Sequence, residues 1–219
     1  MQRPEQGRFI SFEGIEGCGK TTQIALLSGY LQKHSIPHTI TREPGGTAVG
    51  EGIRKILLNS ETIHLTSASE LLLFYASRSQ NIQEKIRPAL QRNEMVICDR
   101  YYHASMAYQG YGRGLPLAEL QALHGFALGD FAPDLTLILD LPVAEGLARA
   151  AKRSGSADRF ERLDPAFHER LRQGFQQIAA ADPQRCAVID ASGDVDNVHL
   201  AVLAAVAARL DVALSPLSP

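Results

Sequence analysis

The chain has 219 residues, enough for one domain with a substantial core. Hydrophobic residues make up 45% and charged residues 21%, the balance of a globular protein rather than a disordered one. A net charge of −2 argues against a large nucleic-acid-binding surface, although a local basic cluster stays open.

Residues 8–12 alternate in a β-compatible way and predict a first strand. The next stretch, Gly14-Ile15-Glu16-Gly17-Cys18-Gly19-Lys20-Thr21, fits the phosphate-binding P-loop pattern G-x-x-x-x-G-K-[ST] and is followed by Thr22. Ile24, Leu27 and Leu31 then recur at helical spacing, which predicts a helix over 20–34. Strand, glycine-rich turn and helix are the context the motif needs. Glycines let the backbone curl so that successive N–H groups point inward, and the helix N-terminus adds partial positive charge there. Lys20 has the reach for β- and γ-phosphates, and the Thr21 hydroxyl is a ligand for Mg²⁺.

Pro37 ends that pattern, and 38–42 read as the second strand. Glu43-Pro44-Gly45-Gly46-Thr47 must be a turn, and 49–58 look helical. Ser67 or Ser69 caps a long helix over 68–91, which Pro88 kinks or restarts. The apolar run 95–98, ending at Asp99, predicts a buried parallel strand. A helix is expected over 101–108, broken at 109–114 by three glycines, and another over 117–128. Residues 135–140 are a further buried strand, and 143–153 a helix that stops at a Ser/Gly break. Asp164 caps a helix reaching 181, with Pro165 in its first turn. The last strand is 187–190 and the last helix 198–210, before a tail over 212–219 expected to be disordered. Residues 1–7 lack the apolar core of a signal peptide, and the apolar stretch near the end carries Arg209 and Asp211, so no membrane span is expected. Cys18, Cys98 and Cys186 give neither a disulfide framework nor zinc spacing, which suits a reducing cytoplasm.

Five strand-like runs alternating with helices predict an α/β fold with a parallel sheet covered on both faces, in a single domain spanning 1–219. Ligands in such sheets bind beyond the carboxyl ends of the strands. The P-loop, Arg42-Glu43 and Asp99-Arg100 should therefore meet around one cleft. Asp99 closes an apolar strand and could hold Mg²⁺ through water or fix a neighbouring arginine. Arg42 and Arg100 together suggest a second anionic group besides the nucleotide phosphates, the bland alternative being surface arginines at loop starts. A second basic cluster, Arg149, Lys152, Arg153, Arg159 and Arg162, surrounds the Ser/Gly break. It reads as a small mobile lid over about 149–162 that brings an arginine to a transferring phosphoryl group, or else as a solvated helix face.

With these motifs in place, the chain resembles the bacterial thymidylate kinases, a P-loop nucleoside monophosphate kinase family. The segments that carry the resemblance run in family order from about residue 8 to 190. They are Phe12 to Thr22, Thr41-Arg42-Glu43-Pro44-Gly45-Gly46-Thr47, Phe74-Tyr75-Ala76-Ser77-Arg78, Asp99-Arg100-Tyr101, Tyr108-Gln109-Gly110, 133–140 and Asp158-Arg159-Phe160-Glu161. The P-loop is shared by many NTPases, whereas the Arg-Glu-Pro-Gly-Gly-Thr turn together with Asp-Arg-Tyr is far more specific. The resemblance implies a three-layer P-loop fold and the reaction ATP + dTMP giving ADP + dTDP. It also implies Mg²⁺ and a homodimer, for which the long helix containing Leu71 to Phe74 could supply an apolar interface, while charge and hydropathy point to neither nucleic-acid nor membrane partners. It assigns the base to Phe74 and Arg78, which lie at i and i+4 on one helix face, with Gln109 and Ser105 nearby. Tyr108 would sit near the sugar, Arg42 and Arg100 on the monophosphate, and Glu16 between the acceptor's sugar and the metal, which Thr21 and Asp99 also hold. Lys20, Arg100 and a lid arginine, Arg153 or Arg159, would serve catalysis. Gly17 marks the type with its arginine in the lid rather than in the P-loop. Cys18, usually alanine in the family, is a packing residue or a thiol activated by the helix N-terminus, with packing favoured. A kinase for another acceptor, such as dUMP or a deoxynucleoside, and a slow regulatory NTPase are the competing readings.

Overall fold

The computed structural model describes residues 7–58, 64–152 and 159–210. Five parallel strands form one sheet: β1 (Phe9–Glu13), β2 (His38–Arg42), β3 (Met95–Asp99), β4 (Leu135–Asp140) and β5 (Cys186–Asp190), in the order β2-β3-β1-β4-β5. Register places Phe12 beside both Asp99 and Leu137, and Arg42 beside Asp99. The first three strand ends therefore lie side by side, as the alternating pattern predicts.

Period-two alternation sorts side chains to two faces. Ile10, Phe12, Met95 and Ile97 pack with Ile24, Leu27 and Leu31 of α1 (Lys20–Lys33). Phe9, Val96 and Cys98 pack instead with Ile82, Ile86, Ala89 and Leu90. α9 (Val195–Leu210) lies beside α1, and α8 (Pro165–Ala181) lies against β4 and β5. Helices thus cover both faces, and the central strands β1, β3 and β4 are apolar runs because both their sides are buried. The remaining helices are α2 (Ala48–Leu58), α3 (Ser67–Asn81), α4 (Arg87–Gln91), α5 (Tyr102–Ser105), α6 (Leu117–Leu128) and α7 (Val143–Ala151). No described helix is long and apolar enough to cross a membrane.

Two local expectations are corrected and a third is given its geometry. Thr66, not Ser67 or Ser69, caps α3, its hydroxyl accepting from the Ser69 amide at 3.1 Å. The long helix over 68–91 restarts at Pro88 as expected: α3 passes through a π-helical turn, Ile82–Ile86, into α4, and Pro88 falls in the first turn of α4, where its missing N–H does least harm. The helix starting after Tyr101 does not end before Gln109. It continues as a second π-helical stretch, Met106–Gly112. The glycines there serve close packing: a Cβ on Gly112 would come within 2.7 Å of the Phe167 ring, and one on Gly110 within 2.5 Å of Leu117.

Candidate active site

The P-loop bends where glycine alone is comfortable, with φ of 129° at Gly14, 73° at Gly17 and 97° at Gly19. Lys20 opens α1, and its ammonium donates to the carbonyls of Gly14 at 3.0 Å and Ile15 at 2.9 Å, inside the loop where phosphate oxygens would sit. Gly17 faces the backbone of α7: a Cβ there would lie 1.9 Å from the Gly146 carbonyl oxygen. A Cβ on Gly146 would in turn lie 2.6 Å from the main-chain carbonyl oxygen of Glu16. Two glycines back to back leave no room for a side chain at position 17, in keeping with an arginine placed outside the P-loop. Cys18 is buried in the loop, its Sγ 3.5 Å from the Lys20 amine.

A cavity of about 680 Å³ opens over this loop. Its wall holds most of the residues singled out from the sequence: Glu16 through Thr22, Phe74, Arg78, Asp99, Arg100, Ser105, Tyr108 and Gln109. Gly14 and Ile15 underlie the loop and are buried. Arg42 is different. It is half exposed, pairs with Glu51 at 3.0 Å, and lines an adjoining cavity of about 480 Å³ together with Thr21, Asp99 and Arg100. It stands at the rim rather than in the main wall.

Strand β1 ends in Glu13, fully buried beneath the loop, whose Oε1 accepts from the Tyr101 amide at 2.7 Å. Burial drives its carboxyl up to about 8, against the pull of Arg100, the Tyr101 amide, Lys20 and Arg78. Glu16 shows the reverse balance. Burial acts to raise it, but His168, Arg100, Lys20 and Tyr108 outweigh burial and bring it down to about 2. Its Oε1 accepts from Arg100 Nη2 at 3.2 Å and from the Tyr108 hydroxyl, and His168 Nδ1 lies 3.3 Å from Oε2. Arg100 adopts the left-handed conformation (φ 67°) and also donates to the Gly14 carbonyl at 3.0 Å, so β3 delivers it directly onto the P-loop.

On the opposite wall, Phe74 is half buried and tilts toward Phe160, ring centroids 6.1 Å apart. Arg78 is fully buried. Its Nε donates to Glu43 Oε2 at 2.6 Å and its Nη2 to the Tyr101 carbonyl at 3.0 Å and Ser105 Oγ at 3.1 Å, while Nη1 has no partner. Ser105 thus braces Arg78 as well as lining the cavity. Gln109 donates from Nε2 to Glu70 at 2.8 Å, and its buried Oε1 has no partner. Asp99 Oδ1 is likewise buried without a partner at the end of β3.

Of the basic cluster at 149–162, Arg149, Lys152, Arg159 and Arg162 lie among the described residues. Arg149 lines the cavity and donates to Glu145 and to the Ala191 carbonyl. Arg159 is held by Glu70 at 2.6 Å rather than turned to the P-loop. Arg153, Asp158 and the rest of 153–158 lie outside the described residues, as does the tail over 212–219.

Sequence reasoning missed several residues here. Glu43, expected at the cleft beside Arg42 but with no partner assigned to it, is the counter-ion of Arg78. Its signal was available in the Arg-Glu-Pro-Gly-Gly-Thr run. His168 and Glu70 sit in ordinary amphipathic helices, and nothing in the one-dimensional pattern sets them apart.

Comparison with known proteins agrees with this geometry. The family described as "Thymidylate kinase" matches residues 12–202. Curated thymidylate kinases are similar over nearly the whole length: that of Citrifermentans bemidjiense is 47% identical over 93% of both chains, and that of Deinococcus radiodurans 47% identical over 93% of this chain and 98% of its own. The crystal structure of thymidylate kinase from Ehrlichia chaffeensis superposes with a TM-score of 0.74 at 36% identity, covering 90% of this chain and 97% of that one. A P-loop at the head of this sheet, a buried arginine and glutamine across the cavity, and that breadth of similarity lead to one conclusion: the chain belongs to the thymidylate kinase family of nucleoside monophosphate kinases.

Proposed function

We propose that this chain is a single-domain thymidylate kinase, moving the γ-phosphoryl of ATP to dTMP to give ADP and dTDP. The observation that carries the choice of acceptor is a pair of buried polar atoms without partners in the cavity wall, Arg78 Nη1 and Gln109 Oε1. One is a donor and the other an acceptor. Thymine, like uracil, offers the complement, a carbonyl at O4 beside an N–H at N3, whereas cytosine offers the reverse; the relatives' specificity favours thymine of the two. Buried polar groups are costly unless paired, so an occupant that pairs both is selected. Phe74 supplies the face on which a pyrimidine stacks.

The acceptor phosphate would then point to Arg100, with Arg42 at the rim, and its sugar would lie against Tyr108 and Glu16. The P-loop amides of 14 to 22 and Lys20 would hold the ATP phosphates. The acceptor oxygen attacks in line, and the protein's part is position and positive charge from Lys20, Arg100 and a lid arginine, Arg153 or Arg159. The donor set fits Mg²⁺: Thr21 offers a hydroxyl, Asp99 an unpartnered carboxylate oxygen and Glu16 its Oε2. Mg²⁺ typically takes one or two carboxylates and completes its shell with water and phosphate. Held by these residues, the ion would neutralise negative charge on the reacting phosphates. A homodimer is supported by exposed Leu72 on α3 and Phe126 on neighbouring α6. A cytoplasmic location is supported by three buried, unpaired cysteines.

A coupled assay with ATP and dTMP, dUMP, dCMP, AMP or no acceptor tests the reading. ADP release should require an acceptor and be fastest with dTMP. Acceptor-independent hydrolysis, or AMP turned over as well as dTMP, would overturn it.

A further inference from the structure

The base side of the cavity has a second layer of polar groups. Glu70, on α3 one turn before Phe74, is fully buried and stands behind the cavity wall. Its carboxylate gathers donors from three places. Gln109 Nε2 donates to Oε1 at 2.8 Å, Arg113 Nη2 to Oε2 at 3.2 Å and Arg159 Nη2 to Oε2 at 2.6 Å. A carboxylate held by two guanidiniums has acceptors only. The Gln109 amide can therefore meet it with the NH₂ end alone, because the opposite orientation sets two oxygens against each other. The orientation of this amide follows from its partner rather than from its shape. Its consequence is that Oε1 is left buried and unpartnered.

We propose that Glu70 is the positioning residue that sets base selection: by holding the NH₂ end of Gln109 it commits that amide to accept, and so selects a base carrying N–H at ring position 3. The inference rests on the reading of Gln109 as a base contact given above. Glu70 itself touches no base. It acts through Gln109, and the same carboxylate holds Arg159 at the lid's far end, so base selection and the lid share one anchor.

The test compares kcat/KM for dTMP and dCMP in the wild type, Glu70→Gln, Gln109→Ala and Arg113→Ala. Glu70→Gln can donate as well as accept, so the Gln109 amide is free to turn. The dTMP:dCMP ratio should fall by roughly tenfold or more, with the dTMP loss mainly in KM and the KM for ATP little changed. Arg113→Ala leaves the carboxylate in place and should keep the ratio, which a merely structural role for the cluster would not predict. If Gln109→Ala leaves the ratio unchanged, the base-contact reading falls and this inference with it. If Gln109→Ala collapses the ratio while Glu70→Gln preserves it, only the role of Glu70 falls. Should Glu70→Gln fail to fold, Glu70→Asp withdraws the carboxylate by one methylene and should shift the ratio in the same direction. A crystal structure of the wild-type dTMP complex needs no variant: Gln109 bridging Glu70 and N3 supports the inference, and Glu70 turned away from Gln109 overturns it.

Discussion

Arg78 carries two burdens, and Arg78→Ala separates them. The side chain is 1% exposed, as is that of Glu43, and the two meet at 2.6 Å. Truncation leaves the Glu43 carboxylate buried with Asn81 Nδ2, at 3.3 Å, as its remaining side-chain partner. It also strips donors from the Tyr101 carbonyl and Ser105. Breaking a buried pair by removing one member costs about 3–5 kcal/mol, because the survivor is an uncompensated charge. For a domain of this size each kcal/mol lowers Tm by roughly 2–4 °C, so the variant should melt about 6–20 °C lower. Glu43→Gln in the same background removes the stranded charge and should recover part of the loss, giving a coupling of about 1 kcal/mol or more in a double-mutant cycle. Differential scanning calorimetry measures all four proteins. Catalysis reports the second burden: at a temperature where the variant is folded, kcat/KM for dTMP should fall far more than the affinity for ATP. A Tm within about 2 °C of wild type, or two single losses that simply add, would refute the stability argument. Unchanged dTMP kinetics would remove Arg78 from the acceptor site.

Three further outcomes follow from the same geometry. Lys20→Ala should lower kcat by about 10²-fold or more while circular dichroism stays native, since the lysine's present bonds are to the loop's own carbonyls. Near-normal turnover would discredit the P-loop assignment. Gly17→Ala combines a positive φ with a Cβ driven against the Gly146 carbonyl, and should cost roughly 1–3 kcal/mol in urea unfolding and raise the KM for ATP. A variant equal to wild type in both would show that the loop does not pack on α7. Glu13 titrates near its ordinary 4.5 in the unfolded chain and near 8 when folded, so the folded protein keeps a proton that the unfolded chain releases. Its contribution is full below about 4.5 and is lost as pH rises through 8. The stability of wild type relative to Glu13→Gln should therefore decline by roughly 2–5 kcal/mol between pH 5 and 8.5. A difference that stays flat with pH would contradict this.

Much of the site was legible because its chemistry sits at strand ends, where a buried apolar run stops at a charged residue. Asp99-Arg100 and the P-loop could be placed on one cleft from that alone, and register confirms them as neighbours. Arg42 obeyed the same rule of position but not of direction. It ends β2, an edge strand, and its side chain turns to Glu51 at the rim. The glycines of 110–112 misled for a physical reason. In a loop they would relax the backbone, but here they let a helix widen to a π turn and pass close to Leu117 and Phe167. Contacts across the fold could not be read at all. Glu43 meets Arg78 across 35 positions and Glu16 of the P-loop approaches His168 of α8, and neither spacing leaves a periodic trace.

The most direct measurement is a crystal structure of the protein with dTMP and a non-hydrolysable ATP analogue. The thymine ring should lie on Phe74, with O4 at Arg78 and N3 at Gln109, and its phosphate should point past Arg100 toward Lys20. A thymine ring seated away from Arg78 and Gln109, or a monophosphate remote from the P-loop, would contradict the account.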